Sequence, residues 1–144
     1  MEAKRVTDKK ELNDAFYIRK IVFVDEQGVL PDEEFDEYDA FADHVLAYYN
    51  NQPVGTGRLQ ILNGMAKLER ICVLAAYRKY GLGMILIRIL ETIARDKGIY
   101  KTILHSQTHA VRFYEKFGYR PASQEFMEAG IPHIVMLKDL PKMQ

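Results

Sequence analysis

One cysteine, no surplus of charge of either sign and no apolar run of bilayer length define what this 144-residue chain does without. The lone Cys72 excludes an internal disulfide and suits a reducing compartment. Twenty Lys and Arg balance twenty Asp and Glu, and with no basic excess a general role on nucleic acid or on a membrane surface is not expected. No segment is long and apolar enough to span a bilayer. The opening MEAKRVTDKKEL is charged and lacks the apolar centre of a signal peptide, so a cytoplasmic protein is expected. Internal repeats, low-complexity tracts and linkers are also missing, and residues 1–144 read as one domain. At 48% hydrophobic residues it has enough to fill a core. The four histidines, His44, His105, His109 and His133, have no metal-site spacing, and no metal is expected.

What is present centres on residues 66–98. Ala66–Val73 reads as a strand, followed by the loop Arg78-Lys79-Tyr80-Gly81-Leu82-Gly83. A helix follows from about Met84 to Lys97, with Gly98 as its stop. Arg88, Glu91, Thr92 and Arg95 recur at helical spacing and predict a polar face. Ile85, Leu86, Ile89, Leu90, Ile93 and Ala94 predict the face that packs on a sheet. A strand feeding a glycine-containing loop and then a helix builds an anion site. The first helical N–H groups have no partner within the helix, and the dipole places partial positive charge there. Glycine lets a phosphate approach the backbone, and Arg78 and Lys79 add full charges. A pyrophosphate is the expected ligand, although neither the dinucleotide G-x-G-x-x-G nor the P-loop pattern is present.

The rest of the chain supplies the sheet. Lys4–Val6 is a short first strand, and a helix with an Asp8 cap and Glu11 three residues on runs to about Phe23. Arg19 falls within its apolar stripe, a position where the stem usually lies on the core with the head in water. Residues 25–43 carry nine Asp or Glu in nineteen, interleaved with Phe35, Tyr38 and Phe41. They read as a solvated loop or short helix, or as a binding wall for a cationic acceptor. Three antiparallel strands, Ala42–Tyr49, Val54–Leu62 and Ala66–Val73, are joined by Asn50–Pro53 and by the hairpin signal Asn63-Gly64. Lys101–Ser106 is a strand that should lie parallel to Ala66–Val73 after its helical crossover. Thr108 can cap a second helix, His109–Phe117, before short strands at Tyr119–Ala122 and His133–Leu137. The fold class is α/β (α+β): a mixed, mostly antiparallel sheet with helices on both faces.

Four of these features together, the strand LERICV, Arg78-x-x-Gly81-x-Gly83, the long helix and the second block FYEKFGY, resemble the GCN5-related N-acetyltransferase (GNAT) family over residues 66–120. RKIVFVDEQGVLPDEEFDEYD resembles the ElaA- and YjcF-like bacterial branch of that family. The resemblance implies acetyl-CoA as co-substrate, lying between two parallel strands that splay apart. It implies main-chain contacts from Ile71, Cys72 and Val73, and a pyrophosphate held by Arg78, Lys79, Tyr80, Gly81, Leu82 and Gly83. It implies a small-molecule or peptide amine as acceptor, attacked directly in a ternary complex. A homodimer is compatible with it.

Tyr114 stands at the family's usual general-acid position; it also sits on an apolar helix face as a core tyrosine would, and a role in orienting the cofactor sulfur is a further alternative. Glu69 is the general-base candidate, placed by strand alternation on the same face as Ile71 and Val73, with an ion pair to Lys67 or Arg70 as the alternative. His133 either reaches the acceptor side or is structural. Cys72, with no Cys–His–Asn arrangement, reads as a buried strand residue. Two other functions remain open: a non-catalytic acyl-CoA-binding module, and an acyl-homoserine-lactone synthase-like enzyme, which RKIVFVDEQG also resembles but for which the chain is short.

Overall fold

The computed structural model of the protein describes residues 1–142. Its strands are β1 (Glu2–Arg5), β2 (Asp43–Tyr49), β3 (Gln52–Leu62), β4 (Met65–Val73), β5 (Lys101–Gln107), β6 (Arg120–Pro121), β7 (Phe126–Glu128) and β8 (Ile131–Asp139). Its α-helices are α1 (Lys9–Arg19), α2 (Pro31–Glu34), α3 (Leu82–Asp96) and α4 (Val111–Glu115). The strands form one sheet in the order β1-β2-β3-β4-β5-β8-β6, with β7 also paired to β8. Among the described residues only β4 and β5 run parallel; the other neighbours are antiparallel. Two-residue turns at Asn50-Asn51, Asn63-Gly64 and Ala129-Gly130 all use positive φ.

Each face of the sheet carries a helix. The apolar side of α3, with Leu82, Leu86, Leu90 and Ile93, is buried against Val45, Leu59, Leu68 and Leu104 in the larger core. Gly57 of β3 lets this helix sit close, because a Cβ there would fall 2.9 Å from Leu90 Cδ1. On the opposite face, Ala15 and Ile18 of α1 form a smaller core with Val22, Leu46 and Cys72.

The local differences from the sequence pattern have physical causes. The first helix ends at Arg19 and continues over Lys20–Glu26 as a π-helical turn, in which the Gln27 amide donates to the Val22 carbonyl five residues back. Helix α3 begins at Leu82 rather than Met84, with Gly81 at its N-cap. Glu91 is not on a solvated face; it is buried and accepts from Tyr119 Oη at 2.9 Å and Lys138 Nζ at 3.0 Å. The second helix shortens to α4 after a 3₁₀ turn at Thr108–Ala110, and Thr108 does not cap it but donates to Glu125.

The largest correction concerns the acidic stretch. Arg19 is fully buried, and its head is not in water. It donates to Glu34 Oε2 at 2.8 Å and Asp39 Oδ1 at 2.7 Å, and lies over the rings of Phe16 and Phe35. Arg58, also buried, donates to Asp36 and Asp39 at 2.7 Å and to Glu69 at 3.1 Å. Arg70 completes the set, 3.2 Å from Glu34 and 3.3 Å from Asp36. Glu34, Asp36 and Asp39 of the predicted solvated stretch are thus neutralised by arginines from α1, β3 and β4. Burial alone would raise Asp36 and Asp39, but their arginine partners hold both below the usual carboxylate range. Glu34 is raised, because its burial outweighs the pull of Arg70 and Arg19.

Removing one member of such a network leaves buried charge without a partner. Arg58→Met should therefore lower unfolding stability by about 3–5 kcal/mol, read by urea denaturation followed by circular dichroism. A loss below about 1 kcal/mol would mean that the cluster behaves as a surface pair.

Candidate active site

Strands β4 and β5 pair only at Ala66–Thr102, Lys67–Ile103 and Leu68–Leu104. Beyond these residues β4 stays with β3 and β5 stays with β8, so the two parallel strands part. The gap opens into a cavity of about 650 Å³, lined from both faces of the sheet: Tyr114 and Ala110 on the α4 side, Glu33 and Glu34 on the α2 side.

A bulge in β4 shapes this gap. Arg58 pairs with Glu69 and Thr56 with Cys72, so Gly57 faces two residues, Arg70 and Ile71. Arg70 takes a left-handed φ of 59°. The extra residue reverses the alternation of the strand. Leu68 lies on the α3 side before it, Ile71 and Val73 lie on that side after it, and Cys72 lies toward α1. Glu69 therefore does not share a face with Ile71 and Val73, and Arg70 does not point away from it: both reach the charge network on the α2 side.

Among the described residues the stretch Ile71–Val73 has no strand partner on its β5 side, which leaves that backbone edge facing the cavity. Cys72 is buried, and burial pushes its thiol up, out of nucleophile range. Arg78 is held from two directions: Nε donates to the Val73 carbonyl at 2.9 Å, and the two terminal nitrogens donate to Glu26 at 2.7 Å each. Lys79 is exposed and lies over the Tyr80 ring. Tyr80 stacks on Tyr49 with centroids 4.4 Å apart, and Leu82 is buried, so both side chains pack rather than face a ligand.

The two glycines of the loop differ. Gly81 has φ 74° and open space where a Cβ would stand, so the backbone there can take an anion at the start of α3. Gly83 is a packing residue, since its Cβ would meet Phe113 Cζ at 2.9 Å. These features fit an acyl-CoA pyrophosphate.

Tyr114 is half-buried in the cavity, edge-on to Phe113, with no hydrogen bond to its hydroxyl among the described residues. Burial, with Cys72 nearby, raises its pKa, so the phenol keeps its proton. Glu69 has both oxygens engaged, Oε1 by Arg58 at 3.0 Å and by Gln60 at 2.6 Å, and Oε2 by Lys67 at 3.4 Å.

Several cavity residues carry no local sequence signal. Glu26 and Gln27 arrive through the π-helical turn; Gln27 meets Gln107 at 2.9 Å across 80 positions. Glu128 arrives on the β7–β8 hairpin, whose Ala129-Gly130 turn in FMEAGI was the available cue. His109 bonds Gln107 at 2.7 Å.

A sheet opened between two parallel strands, with an anion-binding loop at one end and a protonated phenol inside, defines an acyl-transfer cleft. A profile of the acetyltransferase (GNAT) domain matches residues 25–140. The chain is 47% identical to the uncharacterized N-acetyltransferase YjcF of Bacillus subtilis strain 168 over 140 residues, covering 96% of this chain and all of that one. It superposes on an acyl-CoA N-acyltransferase from Pseudomonas aeruginosa with a TM-score of 0.84 at 27% identity, covering 96% of this chain and 99% of that one. Escherichia coli ElaA superposes with a TM-score of 0.83 at 26% identity, over the same shares of the two chains. The chain belongs to the GNAT acetyltransferase family.

The burial of Cys72 has a direct readout. Ellman's reagent should titrate no thiol in the native protein at pH 8 and one in guanidinium. Rapid stoichiometric reaction of the native protein would contradict this placement.

Proposed function

We propose that the protein transfers the acetyl group of acetyl-CoA to a primary amine by direct attack, with both substrates bound together. The observation that supports this reading is the cavity between β4 and β5, which draws its lining from both faces of the sheet and so offers one unpaired strand edge to a molecule from either side.

On the α4 side, the main-chain groups of Ile71, Cys72 and Val73 would hold the pantetheine and the acetyl carbonyl. A backbone N–H aimed at the carbonyl oxygen stabilises charge developing there. The first amides of α3, with Gly81, Lys79 and Arg78, would hold the pyrophosphate, Arg78 exchanging Glu26 for a phosphate oxygen. Tyr114 would give its proton to the departing thiolate.

On the α2 side, the amine would enter among carboxylates. Among the described residues Glu33 makes no ion pair, and Glu128 is joined only to His105 and, at 3.7 Å, to His133. These two, rather than the arginine-bound Asp36 and Asp39, would attract an ammonium group. Glu69 already has both oxygens bound by cations, and in this reading it anchors Arg58.

A thiol-release screen with acetyl-CoA against small amines and peptides tests the function: turnover is expected with at least one amine, and none with any would overturn it. With the best amine, Tyr114→Phe should lower kcat by roughly ten- to ten-thousandfold with the acetyl-CoA KM near wild type. Full activity in Tyr114→Phe would remove the acid assignment.

A further inference from the structure

The α2 side of the cavity holds a second cluster, separate from the arginine network. His105 of β5, Glu128 of β7 and His133 of β8 all line it. Nδ1 of His105 lies 2.9 Å from Glu128 Oε1. The His133 ring is fixed from its own backbone, since its Nδ1 is 2.7 Å from the Ile131 carbonyl and must donate to it. Phe126 packs edge-on against His105, with centroids 5.2 Å apart. Glu128 is held by strand pairing rather than on a free loop, because it sits opposite Ile131 across the two-residue turn.

We propose that His105 is the general base for the incoming amine and that Glu128 is the residue that positions it; this rests on the transfer to an amine argued above. A carboxylate only accepts hydrogen bonds. The His105 bond holds Glu128 below the usual carboxylate range against its partial burial, so it is ionised at neutral pH. The Nδ1 of His105 therefore carries the hydrogen, and the lone pair is left on Nε2. Among the described residues Nε2 has no hydrogen-bond partner, and the side chain is 23% exposed within the cavity. It is available to a substrate in a way that the oxygens of Glu69 are not. The other charged groups around this end are Lys67, Glu69 and Arg70 of β4, Glu33 and Glu34 of α2, and His133.

Nε2 takes one proton from the ammonium and passes it to solvent, leaving a neutral amine. The nitrogen lone pair then forms the C–N bond to the acetyl carbon, and the nitrogen gives its second proton to Nε2. The C–S bond breaks with its electron pair on sulfur, which takes the proton of Tyr114. Solvent returns the imidazolium and the tyrosinate to their starting states. The net yield is an N-substituted acetamide, a free thiol and one proton.

The test is the pH dependence of kcat/KM for wild type, His105→Asn, Glu128→Gln and Glu128→Asp, with acetyl-CoA and the best amine of the screen. His105→Asn should lower kcat by roughly a hundred- to ten-thousandfold, leave the acetyl-CoA KM unchanged and abolish the acidic limb. Glu128→Gln keeps the hydrogen-bond geometry but removes the charge that favours the imidazolium, so the acidic limb should move to lower pH; Glu128→Asp should restore part of it. Wild-type kcat with an unaltered limb in His105→Asn would overturn the base. Titration of the His105 ring by NMR reads the pairing without turnover, and an identical midpoint in wild type and Glu128→Gln would overturn the positioning role. If wild type acetylates no amine while that midpoint does move, the amine-transfer reading fails and the base role goes with it, but the pairing stands.

Discussion

One extra residue in β4 governs the rest of this structure. Arg70, in a left-handed conformation opposite Gly57, interrupts the ladder to β3 and reverses which way each later side chain points. Up to Leu68, two residues before that point, β4 and β5 are ordinary parallel neighbours. After it they part, and the parting is the cavity. A regular strand would place Ile71 and Val73 on the wrong face for the α3 core and Cys72 on the wrong face for the α1 core. The bulge is thus fixed by packing on both sides of the sheet, and this makes the gap a property of the fold.

The same bulge turns Arg70 toward Glu34 and Asp36, joining it to Arg19 and Arg58 in one buried network. Buried ion pairs contribute less to net stability than their contacts imply, because each charge loses its water. Their value here is positional. The segment holding α2 has few apolar anchors of its own, and the arginines of α1, β3 and β4 fix it beside the cavity. Glu33 and Glu34 then become cavity wall while their neighbours are neutralised. Tyr114 and His105, the groups proposed to move protons, make no ion pair with these arginines among the described residues.

Much of the fold was legible in the sequence because it rests on local periodicity. The strands from Asp43 to Val73, the Asn63-Gly64 turn, helix α3 and the parallel placement of β5 all follow from patterns a few residues long. The glycine turn that starts α3 was legible for the same reason, whereas the packing of Tyr80, Leu82 and Gly83 was not. What was not legible depends on partners far apart. The bulge needs Gly57 across the sheet from Arg70. The acidic stretch looks solvated until Arg19, Arg58 and Arg70 close around its centre from up to 37 residues away. Glu91 belongs to the polar stripe of its helix, yet Tyr119 and Lys138 bury it. His105 and Glu128 stand 23 positions apart and meet only because β5 and β7 flank β8.

The central claim is that two substrates meet at one unpaired strand edge, with no covalent step on the protein. Initial rates at several fixed amine concentrations, with acetyl-CoA varied, test this most directly. Double-reciprocal lines that intersect are the predicted result, since both substrates must be present before any product leaves. Parallel lines, with release of free CoA before the amine is added, would show an acyl-protein intermediate and would contradict the account.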